Sequence, residues 1–311
     1  MIIQNSMVRN LIYKNIKILN KLVDKFSTVF IYVSFFIIFL CINYAVLRVF
    51  ICDQFVVPSK SMEPTLIPGD RILVNKLIFG GRVYKSFNFE KNEALSCWRA
   101  WGMRKIKPND VVVFNYPHGY LRNKIEFKIN FVYAKRCIGC PGDTVSIING
   151  FYKNSNYNHI LGDSIMQDRL MSTPDSILKN QYDFYTIPFI DENSPWSTKN
   201  FGPLYIPSID SKITMNTFNY HIYKNIIEFE TGKKLILCGN IVYLNEKELK
   251  SYTFKKNYYF MGGDNVENSK DSRYCGLVPE DFIIGVATRI SYHKDRDTDK
   301  IVWTRFFKKI Q

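Results

Sequence analysis

The 311-residue sequence predicts a mainly β protein held behind one N-terminal membrane-spanning helix. Three observations carry that prediction. No charge interrupts the stretch from Phe26 to Leu47. Beyond residue 52 a turn of the form Pro-x-Asp opens an apolar, β-type run three times. Few residues outside the first stretch keep a sustained helical period.

Residues 1–25 form a basic segment. Arg9, Lys14, Lys17, Lys21 and Lys25 stand against Asp24 alone, while Ile12, Ile16, Leu19 and Val23 fall at helical spacing. The uncharged stretch that follows counts 22 residues, and at about 1.5 Å each these reach about 33 Å, enough to cross a hydrocarbon core. The spanning helix is expected over 26–51. A cleaved leader would want a shorter apolar run and small residues at the cut, whereas this one continues into Arg48-Val49-Phe50-Ile51. A buried core helix is the other reading, but the length and the flanking Lys25 and Arg48 favour a span. By the positive-inside rule the five basic residues keep the N-terminus cytoplasmic and send the remainder outside. No comparable run follows residue 52, which makes this a single-pass chain.

With 46% hydrophobic residues over its whole length, the chain can bury one large core or two ordinary ones and is not disordered. The formal charge of +14 calls for a polyanionic partner or surface. The basic N-terminus points to the lipid of the cytoplasmic membrane, and nucleic acid is not expected as a partner. Seven cysteines, at 41, 52, 97, 137, 140, 238 and 275, fit no disulfide framework. Cys137-Ile138-Gly139-Cys140 has redox or metal-ligand spacing, yet no second pair or nearby histidine completes a site, so a structural role is expected. The histidines at 118, 159, 221 and 293 stand far apart. Neither a metal nor a cofactor is expected.

The external chain reads as two parts of one β core, 52–150 and 238–295, around an insertion at 151–237. Pro68-Gly69-Asp70 leads into the run 71–77, Pro108-Asn109-Asp110 into 111–114, and Pro141-Gly142-Asp143 into 144–148, where Asn149-Gly150 signals a hairpin. Later strands are expected at 240–244, 256–261 and 282–291. The insertion is rich in Asn, Ser, Asp, Tyr and Pro, with Gly202-Pro203 and Pro207 as breakers, and 82–107 reads as a shorter one. The tail, 296–311, is basic and aromatic towards its end, a solvated end or an interfacial contact.

One serine stands out as a candidate nucleophile. Ser61 lies in Pro58-Ser59-Lys60-Ser61-Met62-Glu63-Pro64-Thr65-Leu66, where each proline fixes its own φ and biases the residue before it, so the segment reads as a rigid, extended edge. No G-x-S-x-G elbow accompanies it and no histidine forms a recognisable constellation with it. A lysine can replace the histidine if burial strips it of its proton. Lys135, in Phe131-Val132-Tyr133-Ala134-Lys135-Arg136-Cys137-Ile138-Gly139, is the candidate base, on the strand face opposite Ala134 and Arg136.

These residues resemble the signature boxes of bacterial type I signal peptidases. The boxes are Ser59 to Leu66, Pro108 to Pro117, Lys135 to Asp143, and Gly263-Asp264-Asn265-Val266-Glu267-Asn268-Ser269-Lys270-Asp271-Ser272-Arg273, in order behind a membrane anchor. The resemblance implies a signal-peptidase-like catalytic β-domain and a Ser-Lys dyad, with Ser61 the nucleophile and Lys135 the general base. Ser59 matches the hydroxyl of the oxyanion hole and Ser269 the serine that orients the lysine. Asp271 and Arg273 match the acidic and basic positions that brace the site, and Asp264 and Asn265 belong to the same loop. The implied substrates are exported preproteins cut after a small-x-small motif, on the outer face of a bacterial cytoplasmic membrane. Lys60 departs from the family, which often has a small residue there, and Gly262 stands where an apolar residue is common. A self-cleaving Ser-Lys protease of the repressor type would need a DNA-binding helix pair in place of the span. A silent membrane-tethered β binding domain would have no use for an intact Ser61, Lys135 and Ser269.

Overall fold

The computed structural model describes residues 2–86, 95, 97–117, 124–180, 184–187 and 196–311. The chain divides into two compact units, residues 1–48 and 49–311. In the first, one unbroken α-helix, Ile2–Val46, carries the basic segment from residue 2 and the uncharged run up to Val46. It is long and apolar enough to cross a membrane. The one amide of the apolar run, Asn43, donates from Nδ2 to the Phe39 carbonyl 2.8 Å away, which satisfies that donor within the helix itself.

The second unit is built on an eight-stranded antiparallel sheet. Its order is Cys52–Val56, Asp70–Asn75, Ile283–Lys294, Val111–Asn115, Val132–Gly139, Tyr258–Gly262 and Val278–Pro279, with Ile301–Val302 pairing beside Ile283–Lys294. Val111–Asn115 is buried at every position because a core covers both of its faces. Val112 and Phe114 enter the larger core, while Val111 and Val113 join Val57, Met62, Leu66, Ile72 and Ile310 in a smaller one.

Thr144–Ile148 is the middle strand of a second sheet, between Phe151–Asn154 and Phe201–Tyr205. The expected hairpin closes through Asn149 and Gly150, both left-handed at φ 51° and 86°. The segment 151–237 is therefore paired to the preceding strand, and its Tyr152, Leu161, Leu170 and Ile227 share the larger core with Val112 and Phe260. It also holds helices that the sequence reading missed, Ser164–Ser172 and Thr217–Thr231. The second is capped by Asn216 and by Gly232 at φ 66°, and it buries Tyr223, Ile226 and Ile227 at helical spacing. Parts of 82–107 and of 151–237 lie outside the described residues, as does His118.

The tail, largely solvent-exposed as expected, also runs back along Ile283–Lys294: the Ile290 N–H donates to the Lys308 carbonyl at 2.8 Å and the Ile310 N–H to the Thr288 carbonyl at 3.0 Å. Ile310 reaches the smaller core beside Met62 and Leu66. Ile310 and the ion pair of Arg305 with Asp70 hold it there.

Candidate active site

The segment that carries Ser61 leaves the sheet at Val57, whose N–H donates to the Asp70 carbonyl at 2.8 Å. It is not the extended edge read from its prolines. Between them the chain makes a tight turn, with the Glu63 N–H on the Lys60 carbonyl at 3.0 Å and the Leu66 N–H on the Met62 carbonyl at 2.8 Å. The proline restriction acts on Pro58, Pro64 and the residues before them. The four-residue spacing of buried Met62 and Leu66 pulls the stretch between into a turn. Ser61 is left half-buried at its rim.

Strand pairing sets Lys135 opposite Val112 and Ala134 opposite Val113, the alternation expected. The Lys135 side chain is 2% exposed, and its Nζ is hydrogen-bonded to Ser61 Oγ. Burial drives its pKa from the ordinary lysine value to about 8, against the opposing pull of Asp271 and Cys275. Ser59 Oγ stands 3.2 Å from Ser61 Oγ.

The loop 263–273 clasps the turn from the other side. Asn265 donates from its backbone to the Ser61 carbonyl at 3.2 Å and from Nδ2 to the Lys60 carbonyl at 3.0 Å. Asp264 accepts Thr65 Oγ1 at 2.6 Å and two bonds from Arg136, each 2.6 Å. Asp271 accepts the Gly263 N–H and two nitrogens of Arg273, all at 2.9 Å, with both side chains fully enclosed. Burial alone would raise Asp271; Arg273 and the Gly263 N–H hold it below the usual carboxylate range.

Ser269 is brought to the site but not to the lysine. Its hydroxyl is buried without a hydrogen bond among the described residues. Gly263 is the reason it fits: a Cβ there would lie 2.1 Å from Ser269 Oγ and 2.6 Å from the Ser61 carbonyl oxygen. The sequence reading missed Arg136 and Thr65, which tie the Lys135 strand and the Ser61 turn to Asp264. A buried carboxylate needs a cation, and Arg136 next to Lys135 in an apolar strand was the signal.

A groove of about 510 Å3 opens at Ser61 and Lys135. Phe55, Val57, Ile72, Val113, Val132 and Ala134 give it an apolar floor. The pairing of Val132–Gly139 with Tyr258–Gly262 begins at Arg136, so residues 132–135 have no strand partner on that side among the described residues.

A family model described as "Signal peptidase, peptidase S26" matches residues 29–193 and 206–292. The chain belongs to this family. Among S26 relatives, Signal peptidase I of Buchnera aphidicola subsp. Baizongia pistaciae is 30% identical over 272 residues, which cover 84% of this chain and 76% of that one. Signal peptidase I of Aquifex aeolicus is 28% identical over 261 residues, covering 84% and 82%. The family match takes in the Ser61 turn, the Lys135 strand and the 263–273 loop, and it stops short of the docked tail.

Proposed function

We propose that this protein is a membrane-anchored serine endopeptidase that removes signal peptides from exported preproteins, with Ser61 as nucleophile and Lys135 as general base. The observation that carries the reading is the buried Lys135 amine hydrogen-bonded to Ser61 Oγ, with its pKa lowered to about 8. A neutral amine takes the Ser61 proton as Oγ attacks the scissile carbonyl, and returns it to the leaving amine. The Ser61 N–H and the Ser59 hydroxyl receive the oxyanion. Water, deprotonated by the same lysine, then hydrolyses the acyl-enzyme. Asp264, Asn265, Asp271 and Arg273 hold the two reacting groups in register, and Ser269 fills the space beside Gly263.

The substrate binds as an added strand between 55–57 and 132–135, which leaves its alternate side chains on the apolar floor. Small residues at the cut and two before it fit against Ala134. The helix anchors the chain with its N-terminus in the cytoplasm and residues 52–311 on the outer side. Purified full-length protein in detergent should cleave a preprotein carrying Ala at both positions and spare a Phe variant, and Ser61→Ala or Lys135→Ala should abolish cleavage. Near-normal turnover by Lys135→Ala would overturn the assignment. Protease added outside intact spheroplasts should digest the large domain, and digestion of only the first 25 residues would reverse the topology.

A further inference from the structure

Two loops far apart in sequence each deliver a cation to the same groove. Lys60 lies next to the nucleophile, and Lys270 follows Ser269 in the loop that clasps it. The loops are joined directly, because Asn265 Nδ2 donates to the Lys60 carbonyl at 3.0 Å. Both lysines are exposed and both line the groove that opens at Ser61. Neither takes part in a salt bridge among the described residues. Among the described residues no Asp or Glu lines the groove to offset them. A peptide in the groove therefore meets two unpaired ammonium groups on flexible stems within reach of the residues around the cut.

We infer that Lys60 and Lys270 make this peptidase selective for preproteins with an acidic side chain close to the cleavage site, and against those with a basic one. The inference rests on the proposed peptidase activity and adds a charge requirement to its size requirement. A carboxylate one or two residues from the scissile bond is drawn to the two cations, and a lysine or arginine there is repelled. Because both cations are solvent-exposed, each contact is modest and screened by salt.

The test uses the full-length protein in neutral detergent and peptides that span a cleavage site with Ala at the cut and two before it. They are identical except for Asp, Asn or Lys placed in turn at the position between the two alanines and at the first two positions after the cut. For at least one position kcat/KM should run Asp above Asn above Lys, with Asp about 3-fold to 10-fold over Lys at low salt and the ratio shrinking as salt is added. In the Lys60→Gln/Lys270→Gln protein the three peptides should be cut at nearly equal rates. A flat profile in the wild type, or the same order in the double variant, would overturn the inference while leaving the peptidase reading intact. Failure to cut any of the peptides would remove both. If the double variant keeps the Asp preference but loses binding to phosphatidylglycerol vesicles, the lysines serve the lipid surface and the inference is wrong.

Discussion

Arg136 and Asp264 form a bidentate pair, Nε and Nη2 each 2.6 Å from a separate carboxylate oxygen, with both side chains buried. This pair joins the strand of Lys135 to the loop of Asn265 and Ser269. Asp264→Ala leaves a buried guanidinium without its anion and should cost about 3 to 5 kcal/mol in denaturant unfolding. Arg136→Met/Asp264→Leu removes both charges and should recover much of that stability while activity stays low. A double variant no more stable than Asp264→Ala would show that the ionic pair is not the source of the loss.

The pH dependence follows from Lys135. Its amine titrates at about 8 in the folded chain against the ordinary 10.5. Between those values the unfolded chain holds the extra proton, so stability from this group rises with pH across that window and the whole penalty, about 3 kcal/mol, applies below it. kcat/KM should climb through a pKa near 8. From pH 7 to 9 the wild type should gain about 1 kcal/mol more stability than Lys135→Met. A rate that is flat over this range, or equal gains in both proteins, would contradict the buried-amine account.

Gly263→Ala should strike the site from behind. The added methyl group meets Ser269 Oγ at 2.1 Å and the Ser61 carbonyl at 2.6 Å. Overpacking of this kind costs about 1 to 3 kcal/mol, and because one of the two atoms belongs to Ser61 the fall in kcat should exceed tenfold. Adding Ser269→Gly should restore part of the stability, since it clears the closer clash. A fully active Gly263→Ala protein would show that the turn is free to shift.

The tail should matter more than its sequence suggests. Arg305 places Nε 2.8 Å from Asp70 Oδ1 and donates from Nη2 to the Thr65 carbonyl at 3.1 Å, while Ile310 packs with Met62 and Leu66. Ile310→Ala should cost about 2 kcal/mol or more. Arg305→Gln should lower kcat with little change in KM at temperatures where the fold is intact, because it loosens the turn of Ser61 without touching the groove. A change confined to KM would place the tail's influence on substrate binding instead.

Local signals were the legible ones. Pro-x-Asp turns announced Asp70–Asn75, Val111–Asn115 and Thr144–Ile148, and Asn149-Gly150 announced its hairpin, since turn chemistry and alternation act within a few residues. Ser61 and Lys135 were readable through the family resemblance, and their meeting depends on a register that no local pattern encodes. The helix Thr217–Thr231 escaped because Asn and Tyr obscured a real period through Tyr223, Ile226 and Ile227. Arg136 with Asp264 and Arg305 with Asp70 are contacts between distant segments, invisible until the sheet closes.

The docked tail also sets the order in which the site is completed. A chain made from residue 1 onward presents the Ser61 turn early, with Met62 and Leu66 exposed and Asp70 unmatched by Arg305. Lys135 arrives next, Asp264 much later, and Ile310 after the long strand Ile283–Lys294 against which it lies. The turn that carries Ser61 is thus among the first parts of the domain to be synthesised and among the last to be finished. A ribosome-bound chain stalled before residue 300 would hold both Ser61 and Lys135 and still lack the clamp beneath them.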